Sequence, residues 1–143
     1  MNILSRAIAI ATFAHDGQLD KGGQPYIFHP LRVAMSPLLT TEEQRVVAVL
    51  HDVIEDTDIT ALRLIEEGFS SEIVDAVLSV TKIEGELYTD FIKRVSWNPI
   101  GRIVKLADIE DNTRWDRLEY LPKEQQEYLL EKYGKAKRFL EDA

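Results

Sequence analysis

The chain has 143 residues, 45% hydrophobic and 29% charged, with a formal net charge of −8 and no cysteine. That balance reads as an ordinary soluble globular unit, able to bury roughly 70% of the surface its unfolded form exposes. It excludes thiolate chemistry and a disulfide scaffold. It also gives no basic footprint for duplex nucleic acid, although a few local cations or a metal can still build a positive pocket for a small anion.

Helical periodicity dominates the chain. Ile3, Leu4, Ala7, Ile8, Ala11 and Ala14 predict a helix over 3–16, with Gly17 as its stop. The stretch 17–29 reads as a polar, glycine-rich loop, and Pro30 fits the first turn of a short helix to about Leu39. Thr41 with Gln44 forms a capping-box pattern that opens a helix to about Ile54. Thr60 caps a short helix ending near Gly68, and Ser70 or Ser71 caps one ending near Val80. A helix is expected over 87–96. Asn98–Pro99 opens another, to about Arg114, and Pro122 starts the last, over 122–140.

No alternating strands joined by a hairpin turn stand out. The expected fold is all-α, a compact bundle of about seven or eight helices, with residues 1–143 as one unit. No apolar run is long enough for a membrane span. The N-terminal stretch carries Arg6 and has no small-residue cleavage site, so no secretory leader, no membrane partner and a cytoplasmic location are expected.

The chemistry gathers around three histidines, His15, His29 and His51. "VLHDVIEDT", residues 49–57, sets His51, Asp52, Glu55 and Asp56 among apolar neighbours. Buried ionisable groups need compensation. On a helix, His51 lies above Glu55 and Asp52 above Asp56. A His–Asp step at a helix end offers one nitrogen and one oxygen to a cation; a solvated carboxylate cluster is the equal alternative. In "IVKLADIEDNTRW", residues 103–115, Asp108 interrupts an apolar run and shares a face with Asn112. In "PYIFHPLRV", residues 25–33, His29 sits between Phe28 and Pro30 at a helix start. Two imidazoles and two carboxylates would suit manganese or iron, with zinc or cobalt as alternatives. Such an ion lowers the pKa of water.

His29, then His51–Asp52, then Asp108 resembles the metal-binding signature of HD-domain phosphohydrolases. "AHDGQLDKGGQPYIFHPLRVA", "VLHDVIEDT", "VLSVTKI" and "VKLADIEDN" are similar to successive blocks of one branch, the alarmone hydrolases, the hydrolase half of RelA/SpoT-type enzymes. "YTDFIKRVSWNP" resembles a compact bacterial subgroup of guanosine polyphosphate pyrophosphohydrolases. The resemblance implies His29, His51, Asp52 and Asp108 as metal ligands, with manganese the usual ion. It implies Glu55 and Asp56 as the acidic pair that activates water, and Lys21, Lys82 and Asn112 as substrate contacts. The implied reaction removes the 3′-pyrophosphate of guanosine tetra- or pentaphosphate.

The sequence departs from that pattern at Asp20, where the family commonly has arginine, and at Ile109. An aspartate cannot stack on a base and repels phosphate. An adenine alarmone, or a 2′- or 3′-phosphorylated nucleotide such as NADPH, is therefore the alternative substrate. A non-catalytic nucleotide sensor is the alternative from another class. Alarmone synthesis is not expected. His15 reads as a structural member of its loop, and Arg32 and Lys105 as surface or supporting groups. Lys82 and Arg114 divide evenly between substrate contact and solvated surface. Trp97, Trp115, Tyr120 and Tyr128 read as packing groups. The apolar positions of the tail, from Tyr128 to Leu140, suit packing on the body or on a second copy in a homo-oligomer.

Overall fold

The computed structural model describes residues 1–143. Ten helical segments follow one another: α1 (Ile3–Ala14), α2 (Phe28–Ala34), α3 (Glu42–Leu50), α4 (Val53–Asp56), α5 (Ala61–Glu66), α6 (Ser71–Ser79), α7 (Tyr88–Ser96), α8 (Pro99–Asn112), α9 (Trp115–Leu118) and α10 (Lys123–Asp142). Two of them, α4 and α9, are single turns of 4 residues. That leaves eight, within the expected number. No strand forms; the sole bridge pairs Leu19 with Pro25 inside the glycine-rich loop.

Side chains that satisfy the free amides of the first turn fix the helix starts. Asn2, Thr60 and Ser70 each accept from the backbone three residues on. Thr41 and Gln44 close the expected capping box. Asn98 accepts from Ile100 and Gly101 ahead of a first-turn proline. Gly17 follows α1 with φ +82°, a conformation that favours glycine.

One expectation is corrected at α3. The helix predicted through Ile54 ends at Leu50, and His51 is its C-cap. Asp52 becomes the start of the short turn α4. His51 and Asp52 therefore lie at a junction between two helices. Likewise α2 starts at Phe28, two residues before Pro30.

α3 is the central helix. Val46 through Leu50 are all completely buried, and α1, α2, α6 and α8 pack around it. The main core joins Ala7 and Ala11 of α1, Val33 of α2, Leu64 of α5, Val74 and Val77 of α6, and Val104 of α8. α6 and α8 cross closely at Gly101, where a Cβ would fall 2.1 Å from Ser79 Oγ. A second core joins Phe91, Ile92 and Val95 of α7, Ile109 of α8, and Ala136 and Leu140 of α10. α8 thus serves both cores. No helix is long and apolar enough to cross a membrane.

Candidate metal centre

Three elements of the main core bring three buried ligand-type residues together. His29 comes from α2, His51 from the end of α3 and Asp108 from α8. One ligand atom of each lies within 4.8 Å of the others. His29 Nε2 lies 2.9 Å from Asp108 Oδ1, and His51 Nε2 lies 3.3 Å from the same oxygen. Asp52 stands at the edge of this group. Its Oδ2 is 3.1 Å from His51 Nε2 and 3.7 Å from His29 Nε2, and it accepts from Tyr26 Oη at 2.5 Å.

The opposite ring nitrogens set the chemistry of the inward ones. His51 Nδ1 donates to the Ala48 carbonyl at 2.6 Å. His29 Nδ1 donates to Asp111 Oδ2 at 2.6 Å. In the uncharged rings, with the Nδ1 proton committed outward, each Nε2 turns a lone pair toward carboxylate oxygens. Acceptors facing acceptors at this range need positive charge between them. His51 Nε2 is buried and has no hydrogen-bond partner. Burial works against a charged His51, yet the Asp52 and Asp108 carboxylates outweigh it and hold its pKa well above the ordinary value. A field that would retain a proton there suits a cation. Two imidazoles and one or two carboxylates are a borderline donor set that first-row divalent ions accept.

A supporting layer fixes these groups. Asp111 is buried and accepts two bonds from Arg32, at 2.7 and 3.1 Å, and one from Arg117 Nη1 at 2.9 Å. Burial raises its pKa, but the His29 and Arg32 hydrogen bonds prevail and hold it well below the usual carboxylate range. Lys105 Nζ donates to Asp108 Oδ2 at 2.9 Å, and Asn112 Nδ2 donates to Oδ1 at 3.1 Å. Despite burial, the Lys105 ammonium and then His51 keep Asp108 ionised. Arg32 and Lys105 therefore take the supporting places expected of them. Asp111, Arg117 and Tyr26 were not singled out by sequence reasoning. The signal for Asp111 was available: it lies one helical turn after Asp108, on the same face.

The acidic pair lies just outside the centre. Glu55 Oε1 accepts from the Lys82 backbone N–H at 2.7 Å. Asp56 is surface-exposed, and its pKa is raised to about 6 by partial burial, then by Asp52 and by Glu55. His15 is buried, as expected of a structural residue. Its Nδ1 donates to Gln18 Oε1 at 2.9 Å, and Gln18 Nε2 donates to the Asp56 carbonyl at 3.0 Å. The loop after α1 thereby holds the end of α4.

Lys21 and Asn112 line one cleft of about 240 Å³ together with Arg117 and Tyr120. Lys82 is not among its lining residues and lies exposed beyond Glu55. Asp20 also lines the cleft, but its Oδ1 accepts from the Gly22 and Gln24 amides, each at 2.9 Å. That carboxylate closes its own loop. The packing expectation for four aromatics is overturned: Trp97, Trp115, Tyr120 and Tyr128 are all more than half exposed. Helical periodicity shows which face a residue shares, not whether a partner covers that face.

A family model described as HD domain matches residues 7–95. A guanosine-3′,5′-bis(diphosphate) 3′-pyrophosphohydrolase of Haemophilus influenzae is 46% identical over 117 residues, covering 73% of this chain and 17% of the relative. A protein of the same description from Aquifex aeolicus is 36% identical, covering 78% of this chain. A probable GTP pyrophosphokinase of Mycobacterium leprae is 36% identical, covering 88%. The chain spans 17% of the length of each of these curated relatives. Among solved structures, a metazoan ortholog of SpoT that hydrolyses ppGpp superposes with a TM-score of 0.84 at 24% identity. That match covers 98% of this chain and 86% of the other.

Proposed function

The chain belongs to the HD-domain family, and from that premise we propose that it is a metal-dependent hydrolase of the 3′-pyrophosphate of guanosine tetra- or pentaphosphate. Residues 1–143 act as one unit in this reading, and the products are pyrophosphate and GDP or GTP. The observation that carries it is the unpartnered, buried Nε2 of His51, turned with His29 Nε2 onto Asp108. The kinship with curated pyrophosphohydrolases supports the choice of substrate.

His29, His51, Asp108 and Asp52 would hold one divalent ion, for which we propose manganese. Held there, such an ion would supply Lewis acidity toward phosphate oxygens and would lower the pKa of water. Tyr26 holds the Asp52 carboxylate in place, and Asp111 orients His29. Lys21 offsets phosphate charge in the cleft. Asn112 bridges the cleft and Asp108. Asp56 accepts a proton from the attacking water, and partial burial, then Asp52 and Glu55, keep its pKa raised. The water oxygen bonds to the phosphorus attached to ribose O3′. The O3′–P bond breaks, and O3′ takes up a proton.

The test is pyrophosphate release from guanine and adenine alarmones and phosphate release from NADPH, with manganese, iron, zinc or cobalt added. We expect manganese-dependent release of pyrophosphate from the guanine substrate. The Asp56→Asn variant should bind the ion and turn over at least a hundredfold more slowly. Binding of nucleotide without turnover in the wild-type protein would favour a sensor and reject the hydrolase. Release from NADPH alone would reject the alarmone assignment.

A further inference from the structure

The cleft beside the centre has an aromatic wall to which nothing so far assigns a role. Gly22 of the loop after α1 lies against the edge of the Tyr120 ring. A Cβ at Gly22 would fall 2.7 Å from Cε2, 3.0 Å from Cδ2 and 3.2 Å from Cζ. The loop therefore holds one edge of the ring, while Tyr120 is 56% exposed and lines the cleft. Loop and ring are fixed independently. Asp20 Oδ1 holds the Gly22 and Gln24 amides, and Leu19 bridges to Pro25. Tyr120 follows directly on α9, whose Leu118 is buried and accepts from Gln126 Nε2 at 3.0 Å.

The chemistry around the ring fits a nucleoside. Asn112 connects the cleft to Asp108, so a phosphate at the candidate centre puts its nucleoside in or beside this space. Lys21 supplies a cation, Arg117 is tied to Asp111, and the two carboxylates of the lining are engaged, Asp20 by its own loop and Asp116 by Arg114. Tyr133, the other aromatic of the cleft, packs against the second core. An exposed aromatic held along one edge offers a face on which a planar base can stack.

We propose that Tyr120 is the base-stacking platform of this cleft, and that Gly22 is glycine because the ring must sit where a Cβ would be. The proposal rests on the nucleotide-hydrolase reading above. Stacking is indifferent to which base is presented, so Tyr120 gives affinity for the nucleoside while other groups set purine preference.

The test uses the manganese-loaded protein. Tyr120→Ala should raise KM for the guanine alarmone about tenfold, with kcat within about twofold and inhibition by inorganic pyrophosphate unchanged. Tyr120→Phe and Tyr120→Trp should keep KM near the wild-type value, and Tyr120→Leu should not. Gly22→Ala should raise KM in the wild-type background and have no further effect when combined with Tyr120→Ala, because the two share one contact. An unchanged KM in Tyr120→Ala, with an active wild-type enzyme, overturns the platform alone. Equal weakening of pyrophosphate inhibition would show a general distortion of the site and also overturn it. A wild-type protein that neither binds nor hydrolyses nucleotides overturns the hydrolase reading and the platform with it.

Discussion

At the scale of single residues, the centre depends on where protons are parked. His29 presents Nε2 because Asp111 takes its Nδ1 proton, and Arg32 and Arg117 keep Asp111 ionised. Asp111→Asn weakens that acceptor. Manganese affinity should fall about 10- to 100-fold, the usual cost of losing a partner that orients a ligand. Calorimetry measures it, and wild-type affinity would reduce Asp111 to a packing role. Asp56 gives the pH prediction. A base must be deprotonated to act, so kcat/KM should rise with pH and level off above the Asp56 pKa. Partial burial, then Asp52 and Glu55, raise that pKa to about 6. A bound cation opposes the Asp52 contribution, so the limb should sit at or below this value. Glu55→Gln removes one negative neighbour and should move the limb lower still; a limb that moves upward would contradict the assignment. Asp111 was passed over although it shares a helical face with Asp108, because its polar neighbours Glu110 and Asn112 drew attention away from that register. Its basic partners, His29 and Arg32 of α2 and Arg117 of α9, are brought to it only by the fold.

At the scale of elements, the feature that matters is the break between α3 and α4. An unbroken helix would send His51 and Asp52 about 100° apart around its axis. The junction lets both side chains approach His29 and Asp108. The sequence announced the caps of α3, α5, α6 and α8 through Thr41, Thr60, Ser70 and Asn98, because a cap is a local interaction; the Asn2 cap of α1 was not read from it. It did not announce the break, since Val49, Leu50, Val53 and Ile54 keep helical spacing across it. The turn α4 is also held from outside, by Gln18 at the Asp56 carbonyl and by Glu55 at the Lys82 amide. Gln18→Ala removes one of these ties, worth about 0.5–1.5 kcal/mol. We expect a lower kcat with manganese affinity unchanged, measured by steady-state kinetics beside calorimetry. A loss of ion binding instead would place Gln18 in the support of the centre itself.

At the scale of the whole molecule, two cores meet along α8, which carries Asp108 on one side and Ile109 on the other. Histidines and carboxylates packed among apolar helices converge on one point that suits a cation. An ion that binds only the folded form adds stability by mass action, about 2.7 kcal/mol at a hundred times its dissociation constant. Thermal unfolding should therefore shift upward with manganese and return with a chelator. A variant carrying His29→Gln and His51→Gln should lose that shift while still melting cooperatively; a shift that persists would locate the ion elsewhere. The all-α class was legible in the helical periodicity, and the pairing of distant segments in the HD-type blocks that span about residues 7–115. Exposure of Trp97, Trp115 and Tyr128 was not, since coverage depends on what surrounds a face.

His29, His51 and Asp108 are contributed by three helices that meet only when the bundle closes. The unfolded chain scatters these donors along some eighty residues, and a partly assembled one offers at most an incomplete set. In the proposed reading, loading with an ion would therefore report finished assembly: a copy that has not completed its bundle would be inert by construction, with no separate inhibitor needed to keep it from acting early.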